Sequence, residues 1–591
     1  MFTDNLQITR NEAQGSHAKI RLGLVLDDQP SPCWIHELVR SLLGAEYAQL
    51  AVIVLRGMSH ASSSQPQSIA LPWWKKLDTW IFRENHDPLA PGPKCHGVPT
   101  VKLTSTDDKG KSSLSAADAA QIRACNLDIL IELGSGDLPD GILDCVKHGI
   151  WVFQYAEYGA VKNELALFWN MFAGNRTCEL LLQSLAADPL QDRVLYRGIL
   201  AHDVISLYRN LVLDAHRRSE ILLRCLAQVW QQGWDRIGIG ETRSRISPAR
   251  TGNLAISGVM PHFLVCWFRR SLQRLWTRVC FRQQWFLAFG ESGLPDDTEQ
   301  TRFNPVSLVM HPRGRNYADP FLFERDGRRY LFCEEYGDGP GTICCAEFQS
   351  DGSLSEPQPI LTRNYHLSYP TVFEWRGGVY LLPETQENKT VEIYAPIDFP
   401  RRWELAAVLL NDFAATDPTI FEHNGKLWLF AAGGAVGTES SELFLFFADS
   451  LFGPWKPHPR NPIVCDVRRA RPAGSLFFQG DRLIRPGQDC SERYGYAISL
   501  NRVEELSETD YREVPVGAIL PNWMDGICAT HTVNQIGGVT VLDGRALVPR
   551  FPIFNPHPWA GALKRNNLCG LLPVMLPFRD RISGIRMRTR T

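Results

Sequence analysis

Long apolar runs are missing from this 591-residue chain, and so is any surplus of charge. Leu254 to Phe289, the most apolar stretch, is broken by Arg269, Arg270, Arg274, Arg278 and Arg282. It falls short of the ~20 continuous apolar residues that a membrane-crossing helix needs. Met1 to Ile20 is polar and lacks the apolar core of a secretory signal. Lys and Arg number 62 against 64 Asp and Glu, which leaves no bulk field for gripping nucleic acid. The fifteen cysteines are scattered and contain no Cys-x-x-Cys pair, a usage that fits buried thiols in a reducing compartment. No Gly-x-Gly-x-x-Gly follows the first apolar strand, where Asp27-Asp28-Gln29-Pro30 stands, and no strand is followed by Gly-Lys-Ser/Thr. Dinucleotide binding at that turn and a P-loop are therefore disfavoured. A cytoplasmic protein is the expectation. Peripheral membrane attachment through an amphipathic helix in 254–289 is the alternative to a connecting helix packed between domains.

What the chain does have is a repeated phrase. Asp319-Pro-Phe-Leu-Phe-Glu-Arg-Asp-Gly-Arg-Arg-Tyr-Leu-Phe332 recurs as Asp417-Pro-Thr-Ile-Phe-Glu-His-Asn-Gly-Lys-Leu-Trp-Leu-Phe430, and between them as Tyr369-Pro-Thr-Val-Phe-Glu-Trp-Arg-Gly-Gly-Val-Tyr-Leu-Leu382. Fainter copies open at Ala473 and Thr530, giving steps of 50, 48, 56 and 57 residues. In each strong copy an alternating apolar run meets a Gly turn (Gly327, Gly377, Gly425) and an aromatic-rich run returns, the pattern of a β-hairpin. Five hairpin units at this period predict a five-bladed β-propeller.

The N-terminal part reads differently. Strands are expected at Lys19 to Leu26, Gln49 to Leu55, Leu127 to Leu133 and Gly149 to Phe153. Helices are expected at Trp34 to Leu43, around Leu138 to Val146, and after Asp203 as N-cap through Leu207, Leu211, Ile221 and Leu226. Strands alternating with helices imply an α/β domain on a parallel sheet. The expected organisation is a tail over 1–18, an α/β domain with a C-terminal helix over 19–232, and a linker and amphipathic helical segment over 233–283. A propeller over 284–560 and a tail over 561–591 complete it.

Residues from about 19 to 200 resemble the N-terminal domain of formyltransferases, on the first strand-helix-strand, Leu127-Asp-Ile-Leu-Ile-Glu-Leu-Gly134 and Gly149-Ile-Trp-Val-Phe-Gln-Tyr155. In that family the last strand carries Asn-x-His, and an Asp lies downstream. Here those positions read Val152 and Gln154, with Asp188 or Asp192 beyond them. Neither side chain on the strand can shuttle a proton, so a retained fold without formyl transfer is the favoured expectation.

From about Gln284 to Pro552 the chain resembles five-bladed propeller glycosidases of the family 43 type. Closer in wording, it resembles the propeller-like N-terminal region of plant glucosamine inositolphosphorylceramide transferases. The resemblance rests on Tyr317-Ala-Asp-Pro-Phe-Leu-Phe323, Phe332-Cys-Glu-Glu-Tyr336, Leu382-Pro-Glu-Thr385, Gly453-Pro-Trp455, Arg471-Pro-Ala-Gly474, Arg485-Pro-Gly-Gln-Asp489 and Tyr494-Gly-Tyr496. It implies that Asp319 and Asp417 face the axis as base and pKa modulator, whereas Pro472 stands where a glycosidase keeps its acid. Glu384 and Glu335, on the second strands of blades two and one, are the remaining carboxyl candidates. Tyr369 is a candidate stacking surface at the funnel mouth. Arg485, Gln488 and Asp489 are candidates for gripping an anionic or polyhydroxylated group. His531 is an axial residue beside which a divalent cation is an open alternative.

Two expectations of different kinds follow. One is a sugar transferase-type enzyme of glycan or glycolipid biosynthesis, with a sugar, nucleotide-sugar or glycolipid substrate in the funnel and Asp319, Asp417 and Glu384 as catalytic groups. The other is a non-catalytic carbohydrate-binding or scaffold protein made of two degenerate enzyme domains. Formyl or acyl transfer to an amino sugar by the N-terminal domain is a third route.

Overall fold

The computed structural model describes residues 18–27, 30–56, 70–93, 97–103, 106–108, 111–134, 138–158, 163–238, 256–291, 303–311, 315–337, 339–434 and 437–550. The polar, Ser-rich stretch 59–68, the tail over 561–591 and nearly all of the tail over 1–18 lie outside that set.

A seven-stranded sheet forms the N-terminal domain. Its order is Thr100–Leu103, Ala48–Arg56, Ile20–Asp27, Ile129–Glu132, Ile150–Tyr155, Thr177–Leu185 and Arg193–Ala201. The first five are parallel and the last two join antiparallel. A parallel sheet is covered on both faces, so its strands must be apolar on both. Leu22, Leu24, Ile131 and Trp151 accordingly fill one core, and Val25, Val52, Leu130 and Val152 fill the other. The long helix Leu207–Gln232 is capped by the Ser206 hydroxyl, which accepts the Arg209 N–H. Asp203, the expected cap, takes the N–H groups of Ile205 and Ser206 just before it. The helix expected around 138–146 is a short 3-10 turn, Ile142–Cys145.

The C-terminal part is a five-bladed propeller. Blade one holds Asn316–Arg325, Arg328–Tyr336, Thr342–Glu347 and Gln358–Leu361, and blade two Ser368–Trp375, Gly378–Glu384, Thr390–Asp398 and Arg402–Asn411. Blade three is built on Thr416–His423, Lys426–Ala432 and Glu442–Ala448, and blade four on Phe477–Gln479, Arg482–Asp489, Ala497–Leu506 and Tyr511–Ile519. Blade five is composite. Ile527–Ala529, Val533–Ile536 and Val539–Pro549 are joined by Phe281–Glu291 and Ser307–Val309, which precede blade one in sequence. Phe281–Glu291 runs antiparallel along all of Val539–Pro549, so strands from both ends of the propeller close the ring and leave no open edge there. The segment read as one amphipathic stretch over 254–289 is therefore a helix, Ile256–Cys280, followed by a blade strand.

Hairpin geometry follows the repeat. Asp326-Gly327, Arg376-Gly377, Asn424-Gly425 and Gly537-Gly538 all have positive φ at both positions, the twist that a two-residue hairpin turn requires. A second regularity lies at the openers. Asp319, Tyr369 and Asp417 have φ of 49°, 47° and 51°, and each sits in a register shift between the first two strands of its blade. Left-handed backbone is tolerable for Asp and costly for a bulky Tyr, so something must hold it at Tyr369.

The two domains share a polar seam. Arg224 on the long helix makes a two-pronged bond to Glu442 of blade three, at 2.7 and 2.9 Å, and Glu442 is wholly buried. Arg217 donates to Gly437 O and Gln228 to Asn461 O. The N-terminal sheet's last strand bridges to the propeller at Ile199 and Asp466, and Val467 N donates to Ile199 O. Arg176 pairs with Glu492 at 2.7 Å. The segments 465–471 and 490–495, both of which reach the axis, are thus anchored on the N-terminal domain.

Candidate functional site

Bulging the opener out of register turns its carboxylate or backbone toward the axis, where the blades clasp one another in sequence. Asp543 of blade five accepts the Asp319 N–H of blade one at 3.2 Å. Asp319 accepts the Tyr369 N–H of blade two at 3.3 Å. Glu384 of blade two accepts the Asp417 N–H of blade three at 2.8 Å. Asp417 in turn accepts from Arg471 Nε (2.6 Å) and Gln488 Nε2 (2.7 Å) of blade four. Ionisable groups from all five blades thereby meet in one buried polar cluster.

Two subclusters stand out. In the first, Thr532 donates its hydroxyl to Asp319 at 2.6 Å, and His531 Nδ1 lies 2.5 Å from Asp543 and 3.7 Å from Asp319. Trp285 stacks on the imidazole at 4.1 Å. Burial pushes the Asp319 carboxyl up to about 7, against the pull of His531 and with the push of Asp417. Burial opposes charge on His531, but Asp543 and Asp319 outweigh it and raise its pKa. Both groups hold a proton more tightly folded than unfolded. The Asp319 contribution to stability is therefore full below about pH 4 and is lost as pH rises through about 7, and that of His531 is lost as pH rises through its raised value. We expect Asp319→Asn to flatten that part of the stability–pH curve, measured by denaturant unfolding across pH 4 to 8.

In the second subcluster Glu384 lies against Asp417. Burial first, and then the Asp417 carboxylate, push the Glu384 carboxyl well above its ordinary range, which favours its protonated form. Arg471 spans the pair, 2.6 Å from Asp417 and 4.0 Å from Glu384. The Tyr494 ring covers the Arg471 guanidinium at 4.9 Å. Exposure rises outward, from side chains of 6% at Asp319, 8% at Glu384 and 12% at Arg471 to 45% for Tyr494. Glu334, as buried as Asp319, is bonded to His366 Nε2 at 3.0 Å.

Several sequence-based placements need correction. Glu335 faces away from the axis, bound to Arg315 and His311, because strand alternation gives the axial side to its neighbour Glu334. Arg485 is directed away for the same reason and forms a buried two-pronged bond with Glu513, at 2.7 Å on both arms, while Gln488 on the other face reaches Asp417. Asp489 caps Ser491 N and does not pair with Arg485. Tyr369 is fully buried and offers no stacking surface. Its hydroxyl accepts the Gly474 N–H at 2.6 Å and lies 3.1 Å from Thr419, which is what holds its strained backbone. Gly474 itself must be glycine, since a Cβ there would meet Val533 O at 1.9 Å. We expect Tyr369→Phe, which leaves that buried N–H unpaired, to cost about 1–3 kcal/mol in denaturant unfolding.

Arg471, Asp543, Glu334 and Arg545 are axial residues that the motif reading missed. A signal for two of them was present. The residue fifteen places after each opener is Glu334, Glu384, Ala432, Gln488 and Arg545. Except in blade four, this residue pairs with the one just before the opener: Ala318, Ser368, Thr416 and Ala529. Arg545 is buried beneath Trp285 at 5.2 Å, makes one long bond to Tyr494 O (3.4 Å), and has no partner at Nε. No carboxylate among the described residues lies within ion-pair distance of it.

Asp319, His531 and Asp543 offer three donor atoms within 4.8 Å of one another, a set suited in kind to a divalent cation. His531 Nδ1 sits in hydrogen-bonding contact with Asp543, so a cation there would have to displace a proton. In the N-terminal domain, Val152 and Gln154 sit on the sheet, while Asp188 caps Leu190 N and Asp192 caps Ala186 N. Those positions hold no acid–base group ready for formyl transfer. A cavity of about 480 Å³ there is lined by Lys147, His148, Asp192, Arg193, Trp234 and Asp235.

Fold and site together define a five-bladed propeller with an axial acid–base cluster. Residues 307–533 match the family model described as glucosamine inositolphosphorylceramide transferase 1, N-terminal. The Arabidopsis thaliana glucosamine inositolphosphorylceramide transferase 1 is 37% identical over 206 residues, 34% of this chain and 27% of the relative. The Oryza sativa subsp. japonica protein of the same name is 36% identical over 225 residues, 36% of this chain and 30% of the relative. The chain thus spans less than a third of the length of these curated relatives. Among solved structures, a thermostable family-43 glycoside hydrolase is similar at 14% identity and a TM-score of 0.28, over 39% of this chain and 94% of that one. The β-xylosidase RS223 is similar at 14% identity and a TM-score of 0.31, over 38% and 82%. The blade count itself rests on the sheet pairings.

Proposed function

We propose that this protein is a sugar transferase-type enzyme of glycolipid assembly, and that the axial cluster holds the glycosyl part of its substrate. The observation that carries the reading is the Glu384–Asp417 pair beside Asp319, in which burial raises Glu384 well above its ordinary range and Asp319 to about 7, so that two carboxyl groups are set differently. Such a division is how one site supplies both an acid and a base. Protonated Glu384 would give its proton to the oxygen leaving the anomeric carbon. Asp319, poised near neutrality, would take the proton of the attacking hydroxyl as its oxygen bonds to that carbon. Arg545, a buried cation without an ionic partner, would hold an anionic part of the substrate. The matching relatives carry inositolphosphorylceramide in their names, which supports a phosphorylated glycolipid.

A second reading, non-catalytic carbohydrate binding, is favoured by the clasps themselves: the carboxylates of Asp319, Glu384 and Asp543 each already bind the next blade's backbone. Thermal stabilisation screened against nucleotide sugars, glycosylated inositol phosphates and neutral oligosaccharides tests what both readings share, since a ligand of the native state raises Tm. At a hundredfold excess over Kd, about 2.7 kcal/mol of stabilisation is expected from the true ligand. No stabilisation by any sugar would remove both. Radiolabelled transfer to an inositolphosphoryl lipid then separates enzyme from binder.

A further inference from the structure

Two packed helices of the N-terminal domain leave an unusual surface. Ile256–Cys280 buries Met260 and Phe263 and donates Trp267 Nε1 to Ile205 O. Trp74 of the helix Ala70–Phe82 meets Phe263 edge-on at 4.9 Å and Trp267 at 6.4 Å, which makes the two helices one unit. Away from that contact, Val265, Phe268, Leu272, Leu275, Trp276 and Val279 are all between 44% and 68% exposed. Their spacing places them on one stripe of the helix. The partner helix adds Trp73, Leu77, Trp80 and Ile81, with Trp80 80% exposed. Scattered surface leucines need no explanation, but ten exposed apolar side chains on two adjoining helices do.

We propose that this helix pair seats the protein on an anionic lipid surface. Charge selects that occupant over a second protein. The chain as a whole is nearly neutral, yet Ile256–Cys280 carries Arg269, Arg270, Arg274 and Arg278 and no acidic residue. The partner helix carries Lys75 and Lys76, and its one acid, Asp78, is wholly buried and accepts Ser206 and Tyr208 groups. Lys75 pairs with Glu164, Arg274 with Asp203, and Arg270 donates to Met171 O, so Arg269, Arg278 and Lys76 are the exposed charges that face outward. An exposed stripe of Trp, Phe and Leu flanked by Arg is the chemistry of a helix lying in the headgroup region. No helix among the described residues is long and apolar enough to cross a bilayer, so the helix lies on the membrane. The inference is independent of the axial reading, because it concerns lipid without any sugar.

Flotation of the full chain with phosphatidylcholine vesicles, with and without about 30% phosphatidylserine, tests it. Binding to the anionic vesicles is expected to be at least tenfold tighter than to neutral ones, and to weaken with salt. Leu272→Glu with Leu275→Glu should lower it at least tenfold, and Arg269→Ala with Arg278→Ala should remove the anionic preference. Both pairs leave the core untouched, which unchanged circular dichroism would verify. Equal flotation of the Leu variant and the parent would overturn the proposal. So would a dimer that the Leu substitutions dissolve in the absence of vesicle binding, or vesicle binding gained only when residues 551–591 are removed.

Discussion

Glu384→Gln is expected to lower sugar transfer by about a hundred- to ten-thousand-fold while leaving ligand affinity within a few-fold. Gln keeps an oxygen for the Asp417 N–H, now held at 2.8 Å, so the clasp between blades two and three survives. What disappears is the proton. Burial and the adjacent Asp417 raise the Glu384 carboxyl well above the usual range, so parent turnover should fall at high pH through that raised value, besides falling at low pH as Asp319 takes a proton near 7. The variant should lose this alkaline limb along with its rate. A Gln variant with parental kcat would exclude Glu384 as the proton donor.

Glu442→Ala is expected to cost about 3–5 kcal/mol, the penalty for stranding a buried charge. Arg224, only 12% exposed at its side chain, cannot neutralise itself, and Glu442 is its two-pronged partner. Glu220 is nearby with its carboxyl raised to about 7 by burial, so it is a poor substitute at neutral pH. Denaturant unfolding followed by tryptophan fluorescence should show the interdomain transition move to lower denaturant. The double variant Arg224→Met with Glu442→Leu should recover most of the loss, because a well-packed apolar pair needs no desolvation. Sugar affinity should fall as well in the single variant, since the N-terminal domain anchors Glu492, two residues from Tyr494, and the segment that ends at Arg471.

Much of the propeller was legible because each blade repeats the same hairpin chemistry: Gly turns, aromatic returns and an opener at the bulge. The repeat pointed to Asp319, Asp417 and His531, and the motif wording to Glu384 and Gln488; these side chains lie in one hydrogen-bonded polar cluster. Glu335 and Arg485 went astray because they were taken from the wording of a motif rather than from alternation along a strand; counting from the opener selects Glu334 and Gln488 instead. Asp543 and Arg471 could not be read, since their partners lie as far as 224 residues away in sequence. Blade five's closing strand, Phe281–Glu291, carries none of the repeat's words, because a strand in the third position of a blade has no opener and no hairpin turn. In the N-terminal domain the apolar runs gave the strands, while the Arg224–Glu442 seam joins two residues that look like ordinary surface charges in sequence.

Calorimetric titration of the full chain with a soluble glycosylated inositol phosphate decides whether the axis is the substrate site. A single saturable site is predicted, weakened at least tenfold by Arg545→Met for the phosphorylated ligand but little changed for its dephosphorylated form. Binding of the phosphorylated ligand that is indifferent to Arg545→Met, or no binding at all, would contradict it.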